Sequence, residues 1–193
     1  MIITLLAETM GGYWGIRRKF LKTKNPLIKK FYDLFFRLYI EERGSSIDLR
    51  TRISNEPIFP HRINGIFIAS GAIIGNNCVI YHQVTIGVNM IPGSKNQGAP
   101  IIGDNVYIGA GAKIIGGIRI GNNVRIGANA VVFTNIPDNS TVVAASGRII
   151  EKNETQNNKF YRYSNKLGCL VYIQDGKEIQ ETDNEILKLL GHY

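Results

Sequence analysis

Aliphatic residues return at every sixth position through the middle of the chain. Ile68, Ile74, Ile80 and Ile86 make one run, and Ile102, Ile108, Ile114, Ile120, Ile126 and Val132 make a second. Four residues after each stands another apolar residue: Ala72, Cys78, Val84, Met90, Val106, Ala112, Ile118, Val124, Ala130 and Ile136. Three residues after each stand Gly71, Asn77, Gln83, Asn89, Asn105, Gly111, Gly117, Asn123, Asn129 and Asn135. Apart from Gln83 these are Gly or Asn, the residues that tolerate positive φ. The pattern therefore predicts a left-handed backbone corner every six residues, with short β edges between corners and a large aliphatic pointing inward. An α-helix would repeat its apolar stripe at 3.6 residues and is excluded. Three edges close a triangular coil of about eighteen residues, and successive coils stack at the ~4.8 Å strand spacing. Ile102 should then lie over Ile120, Ile108 over Ile126, and Ile114 over Val132. The fold class is an all-β solenoid, a parallel β-helix.

The repeat breaks once. Ile86 and Ile102 are sixteen positions apart instead of six, so one edge carries ten extra residues within 88–100. That segment, rich in Gly, Pro, Ser and Asn, reads as a loop thrown out of the solenoid, and such loops carry function more often than not. Upstream, Asn25-Pro26 reads as the cap and first residue of a helix. Its apolar stripe, Leu27, Phe31, Leu34, Phe35 and Leu38, should cover the first coil, since solenoids need capped ends. Downstream of Pro137 the repeat stops. A hairpin is expected around Asp175-Gly176 and a short helix over 183–190. The organisation expected is an N-terminal helical cap (1–46), a β-helix domain (47–150) with its loop at 88–100, and a C-terminal extension (151–193).

Composition narrows the chemistry. Cys78 and Cys169 are the two cysteines and His61, His82 and His192 the three histidines, too few and too scattered for a zinc site or disulfide framework, so no metal is expected. No apolar run is long enough to span a bilayer, and the start lacks the basic n-region of a signal peptide, so a cytoplasmic protein is expected. The net charge of +8 is concentrated toward the front. Arg17, Arg18, Lys19, Lys22, Lys24, Lys29 and Lys30 follow one another with no acid among them. No nucleic-acid-binding signature accompanies this run, so nucleic acid is not expected as a partner. Peripheral contact with an anionic membrane through the basic helix is an open reading.

The stretches GIFIASGAIIGNNCVIYHQVTIG (65–87), PIIGDNVYIGAGAKIIGGIRIGNNVRIGANAVV (100–132) and IPDNSTVVAASGRII (136–150) resemble the hexapeptide-repeat acyltransferases. The resemblance is strongest to serine O-acetyltransferase and its short relatives in cell-surface polysaccharide clusters. It implies a left-handed coil, a homotrimer with sites between subunits, and acetyl-CoA as donor. The catalytic base of that family matches His61, which would take the acceptor hydroxyl's proton; an imidazole suits this because it titrates near neutral pH. The family's orienting aspartate is matched by Asp48, although its spacing is two residues short. His82 is a substrate-contact candidate, expected to point outward beside the inserted loop. Ala110, Gly111 and Ala128 match the small residues along which the pantetheine arm lies. Arg125 and Arg148 match basic positions near the coenzyme's phosphates.

Where the serine enzymes keep an arginine and a second histidine at the end of the loop, this chain has Gly98-Ala99-Pro100. Nor is a counterpart of their long helical N-terminal domain expected. The expected reaction is therefore O-acetylation of a sugar hydroxyl of a surface polysaccharide or its precursor, with L-serine as the alternative acceptor. A carbonic anhydrase on the same solenoid would need three zinc histidines and is disfavoured. A non-catalytic scaffold would leave His61 and the loop unexplained.

Overall fold

The computed structural model describes residues 2–147, 150–153 and 157–190. It divides into two compact units, Met1–Ser146 and Gly147–Tyr193.

The first unit contains a three-faced parallel solenoid. Face 1 stacks Ser46–Ile47, Phe67–Ile68, Thr85–Gly87, Lys113–Ile115 and Val131–Val132. Face 2 stacks Arg52–Ile53, Ile73–Ile74, Ile101–Ile102 and Arg119–Ile120. Face 3 stacks Val79–Ile80, Tyr107–Ile108, Arg125–Ile126 and Thr141–Val142, with Ile58 bridging to Val79. The expected register holds: Ile102 pairs with Ile120, Ile108 with Ile126, and Ile114 with Val132. Each inward residue of the run from Ile68 to Val132 is buried, as are its apolar companions four positions on, except Met90 and Ile136. Every such isoleucine withdrawn from water contributes about 1.5–3 kcal/mol. Cys78 is one of these companions, and burial pushes its thiol up from its ordinary range.

The corners differ from the expectation. Positive φ occurs at the second corner, between faces 2 and 3 (Asn77, Asn105, Asn123, Asn139), and at the third, between faces 3 and 1 (Gly65, Gln83, Gly111, Asn129). At the first corner, between faces 1 and 2, Gly71, Asn89, Gly117 and Asn135 lack it, whereas Gly116, one residue before the repeat position, has φ 95. The second corner is held by a side-chain ladder: Asn77 Nδ2 donates to Asn105 Oδ1 (3.2 Å), Asn105 Nδ2 to Asn123 Oδ1 (3.1 Å) and Asn123 Nδ2 to Asn139 Oδ1 (3.0 Å). The inserted loop leaves at the first corner. Its ends close on each other, Asn89 and Gly98 exchanging backbone hydrogen bonds of 2.8 and 2.9 Å. Met90 is therefore in the loop and exposed. The final coil is shorter: Ile120 bridges Ile136 sixteen residues on, so Ile136 occupies the inward position of a new edge.

Before the solenoid stand three helices, α1 (Ile2–Thr9), α2 (Gly12–Lys22) and α3 (Pro26–Glu42). The spacing signals α3 alone: Asn25 Oδ1 accepts from the amides of Leu27 and Ile28, and Pro26 needs no partner at that position. The face it buries is not the expected one. Phe36 and Tyr39 are buried and Tyr32, Phe35 and Ile40 pack against the core, whereas Leu27, Phe31, Leu34 and Leu38 are exposed. α2 shares the capping of the first coil with α3. Tyr13 and Trp14 pack on Phe59, and Arg17 donates to the carbonyls of Leu49 (3.1 Å) and Thr51 (2.9 Å), satisfying open backbone acceptors.

The second unit is an antiparallel sheet of Tyr161–Ser164, Cys169–Gln174 and Lys177–Gln180 followed by α4 (Asn184–Leu190). Asp175 and Gly176, both at positive φ, make the expected hairpin turn. The strand Tyr161–Ser164 carries no comparable signal in the sequence.

Candidate active site

The third corner gathers most of the candidate residues. His61 lies in the segment Pro60–Ile63, between Ile58 on face 3 and Phe67 on face 1. Ile58 pairs with Val79, 21 residues on, but Phe67 pairs with Thr85, 18 residues on. Three extra residues are thus accommodated at this corner of the first coil, and they carry the imidazole out of the regular stack into an exposed position. The bulge needs Arg62 at φ 57, a left-handed conformation that costs a non-glycine residue about 1–2 kcal/mol. Local bonds fix it: the Arg62 amide donates to Phe59 O (2.9 Å), and Asn64 Nδ2 donates to the His61 carbonyl (3.1 Å).

One coil on, at the same corner, lies His82. The two imidazoles meet edge to face, with centroids 4.8 Å apart and planes at 86°. Nδ1 of His82 is shielded from solvent and has no hydrogen-bond partner in the structure. Further along the corner the column continues through Ala110 and Gly111 to Ala128. The Gly111 amide donates to His82 O (3.1 Å) and the Asn129 amide to Ala110 O (2.8 Å). Arg125 projects exposed from the adjoining edge of face 3, beside Tyr107 in the ladder. His61, His82, Ala110, Gly111, Ala128 and Arg125 therefore lie along one side of the solenoid. The sequence reading missed two aromatic members. Tyr81 packs 5.7 Å from His61, and Tyr107 packs 5.3 Å from Tyr81, centroid to centroid. A hydrogen bond with Tyr81 raises the Tyr107 phenol. Both are outward residues on face 3, which the six-residue pattern leaves unconstrained.

Two expectations need correction. Asp48 follows the first strand of face 1, at the first corner, on a different vertex of the triangle from His61. Its Oδ1 accepts from the Arg50 amide (2.6 Å) and lies 3.5 Å from the Arg50 guanidinium, making a local turn. Within one chain this carboxylate therefore serves Arg50 and stands at a different corner from His61. The inserted loop does not stand beside His82 in the same chain either. It folds along the first corner, with Asn96 Nδ2 donating to Phe133 O (2.7 Å) and its backbone lying on Gly116 and Gly117. Arg148 lies outside the described residues. Among the described residues no three His, Cys, Asp or Glu side chains gather as a metal ion would require.

With this geometry in hand, likeness to known proteins is informative. Residues 99–134 match the bacterial transferase hexapeptide family, described as six repeats. The chain is 39% identical over 132 residues to a serine acetyltransferase of Buchnera aphidicola, covering 66% of this chain and 50% of that protein. The repeat is similar to that of serine acetyltransferases. Serine acetyltransferase isoform 3 from Entamoeba histolytica, solved in complex with cysteine, superposes with a TM-score of 0.60 at 32% identity, over 74% of this chain and 50% of that one. A serine acetyltransferase solved in complex with CoA superposes with a TM-score of 0.56 at 27% identity, over 72% of this chain and 55% of that one. The family match and these neighbours imply a left-handed coil. The chain spans about half the length of the curated relatives it matches.

Proposed function

We propose that this protein transfers an acetyl group from acetyl-CoA to a hydroxyl acceptor, and that His61 is the catalytic base. The observation that carries the reading is the single column at the third corner, where two histidines in contact are followed by a strip of small residues. His61 would take the acceptor hydroxyl's proton as the oxygen attacks the thioester carbonyl. Collapse of the tetrahedral adduct breaks the C–S bond, and the imidazolium returns its proton to the departing thiolate. The narrow pantetheine arm suits the strip of Ala110, Gly111 and Ala128, where larger side chains would block it. Arg125 offers charge to the coenzyme's phosphates, and the reaction is read as cytoplasmic because acetyl-CoA is a cytoplasmic thioester.

L-serine is the acceptor that the relatives favour, since those compared are serine acetyltransferases. A saccharide hydroxyl is the second reading. It rests on the loop end, where Gly98-Ala99-Pro100 offers no side chain able to grip a zwitterionic amino acid. A homotrimer accounts for the distribution of parts: the loop and the histidines of one chain stand at different corners, and a neighbour's first corner packed near the third would bring them together.

The test is thiol release from acetyl-CoA with L-serine, nucleotide sugars and oligosaccharides as acceptors. Turnover with serine supports the first acceptor, and turnover only with saccharides replaces it with the second. No release and no CoA binding with any of them overturns the enzymatic reading.

A further inference from the structure

α3 is apolar on two opposite faces, and the protein covers only one of them. Tyr32, Phe36, Tyr39 and Ile40 face the core. Leu27, Phe31, Leu34 and Leu38, spaced four, three and four residues apart, make a continuous stripe on the other side, exposed to 78%, 59%, 59% and 41%. Ile28 widens it, and the Phe31 ring stacks on that of Phe35. A helix with large aliphatic and aromatic residues on both faces calls for two apolar surroundings. At 17 residues α3 is about 25 Å long, and no helix among the described residues is long and apolar enough to cross a membrane.

The charges around the stripe identify what covers it. Lys30 and Arg37, seven residues apart, border one side, with Glu41 on the same border near the helix end, and Lys24 stands at the helix start. Lys19 and Lys22 are exposed on the last turn of α2, two to five residues before Lys24. The acid nearest the middle of the helix, Asp33, is taken up by Arg37 (2.9 Å) and Arg50 (3.4 Å). A second copy laid antiparallel along this stripe would set its own Lys30–Arg37 border against this one, basic against basic. An anionic headgroup layer meets the same border with opposite charge, while the long lysine and arginine stems reach past the apolar stripe to the phosphates. We infer that α3 seats this protein on an anionic lipid bilayer, lying in the plane of the interface with Leu27, Phe31, Leu34 and Leu38 in the acyl boundary. This inference stands apart from the proposed reaction.

The experiment is co-sedimentation of the full chain with vesicles of phosphatidylcholine alone or mixed with phosphatidylglycerol, at low and high salt. Binding to the mixed vesicles, weak binding to the neutral ones, and release by salt are expected. Phe31→Asp with Leu34→Asp should lower partitioning at least about tenfold, and Lys24→Glu with Lys30→Glu should do so on anionic vesicles. These positions are exposed, so both variants should keep the wild-type circular dichroism and unfolding midpoint; if the apolar pair does not fold, the lysine pair decides. Wild-type partitioning by the variants, or no binding to mixed vesicles at low salt, overturns the inference. So does a change of oligomer size in Phe31→Asp without vesicle binding, which would assign the stripe to a second copy.

Discussion

The first and third corners of the solenoid carry the same sequence pattern and do different things. At the third, Gln83, Gly111 and Asn129 hold positive φ and each coil sits closely on the next. At the first, where the chain departs into its loop, Gly71, Asn89, Gly117 and Asn135 occupy the same repeat position without it, although Gly116, one residue earlier, turns left-handed. A left-handed corner fixes direction within one residue, so the coil above is stacked tightly and side chains along the corner keep a constant spacing. That is what a column of His61, His82, Ala110 and Ala128 needs. The open corner is less constrained and accepts an insertion.

The comparison can be broken most severely at Gly109, on the third corner. A Cβ there would come within 2.6 Å of the Ala128 amide nitrogen and 3.0 Å of its Cα. Backbone cannot yield as a flexible side chain can, so Gly109→Val should cost more than about 4 kcal/mol and abolish soluble expression or cooperative melting. His61→Ala changes chemistry without disturbing the stack. It should lower kcat by about 10²–10⁴ in the thiol-release assay while leaving the unfolding midpoint near wild type. Gly111→Ala and Gly71→Ala compare the corners directly. Gly111 stands at φ 72 against the Asn129 side chain, and alanine should cost about 1–2 kcal/mol by denaturant unfolding. Gly71 has an ordinary φ and only the Ala99 methyl at 3.3 Å, so the change there should stay within about 0.5 kcal/mol. Equal losses at both would remove the distinction. A last test replaces Met90–Gln97 with a two-residue Asn-Gly turn between Asn89 and Gly98, whose backbones already pair. Stability should shift by less than about 1 kcal/mol, while acetyl transfer should fall if the loop completes a neighbour's site.

Where the sequence misled, a local signal had two structural solutions. The stripe Leu27–Phe31–Leu34–Leu38 satisfies helical periodicity, but so does Tyr32–Phe36–Tyr39, and only packing against α1, α2 and the first coil selects between them. The family resemblance pairs Asp48 with His61 at a spacing close to the family's own. In a triangular coil, linear distance converts to proximity only when the residues share a corner, and the bulge at Pro60–Ile63 shifts that conversion. α1 and α2 lack the cap signal that marks α3: Gly11 at the start of α2 offers no side chain to its first turn. Tyr81 and Tyr107 join the histidines because face 3 stacks them, a juxtaposition 26 residues apart in the chain.

The six-residue period by itself determined the solenoid, the inward isoleucines, the register of the later coils and the existence of the loop. Each follows from local geometry repeated many times: a small or amide residue for the turn, an aliphatic for the interior, and a strand too short to do anything but stack. Tertiary structure alone decided which corners adopt a left-handed backbone, which face of α3 is covered, and which side chains share an edge with His61. Those outcomes depend on contacts between residues far apart in sequence, where an added or missing residue rotates every later side chain about the coil axis. Period fixes the coil, whereas phase, set by a few irregular residues, places the chemistry on it.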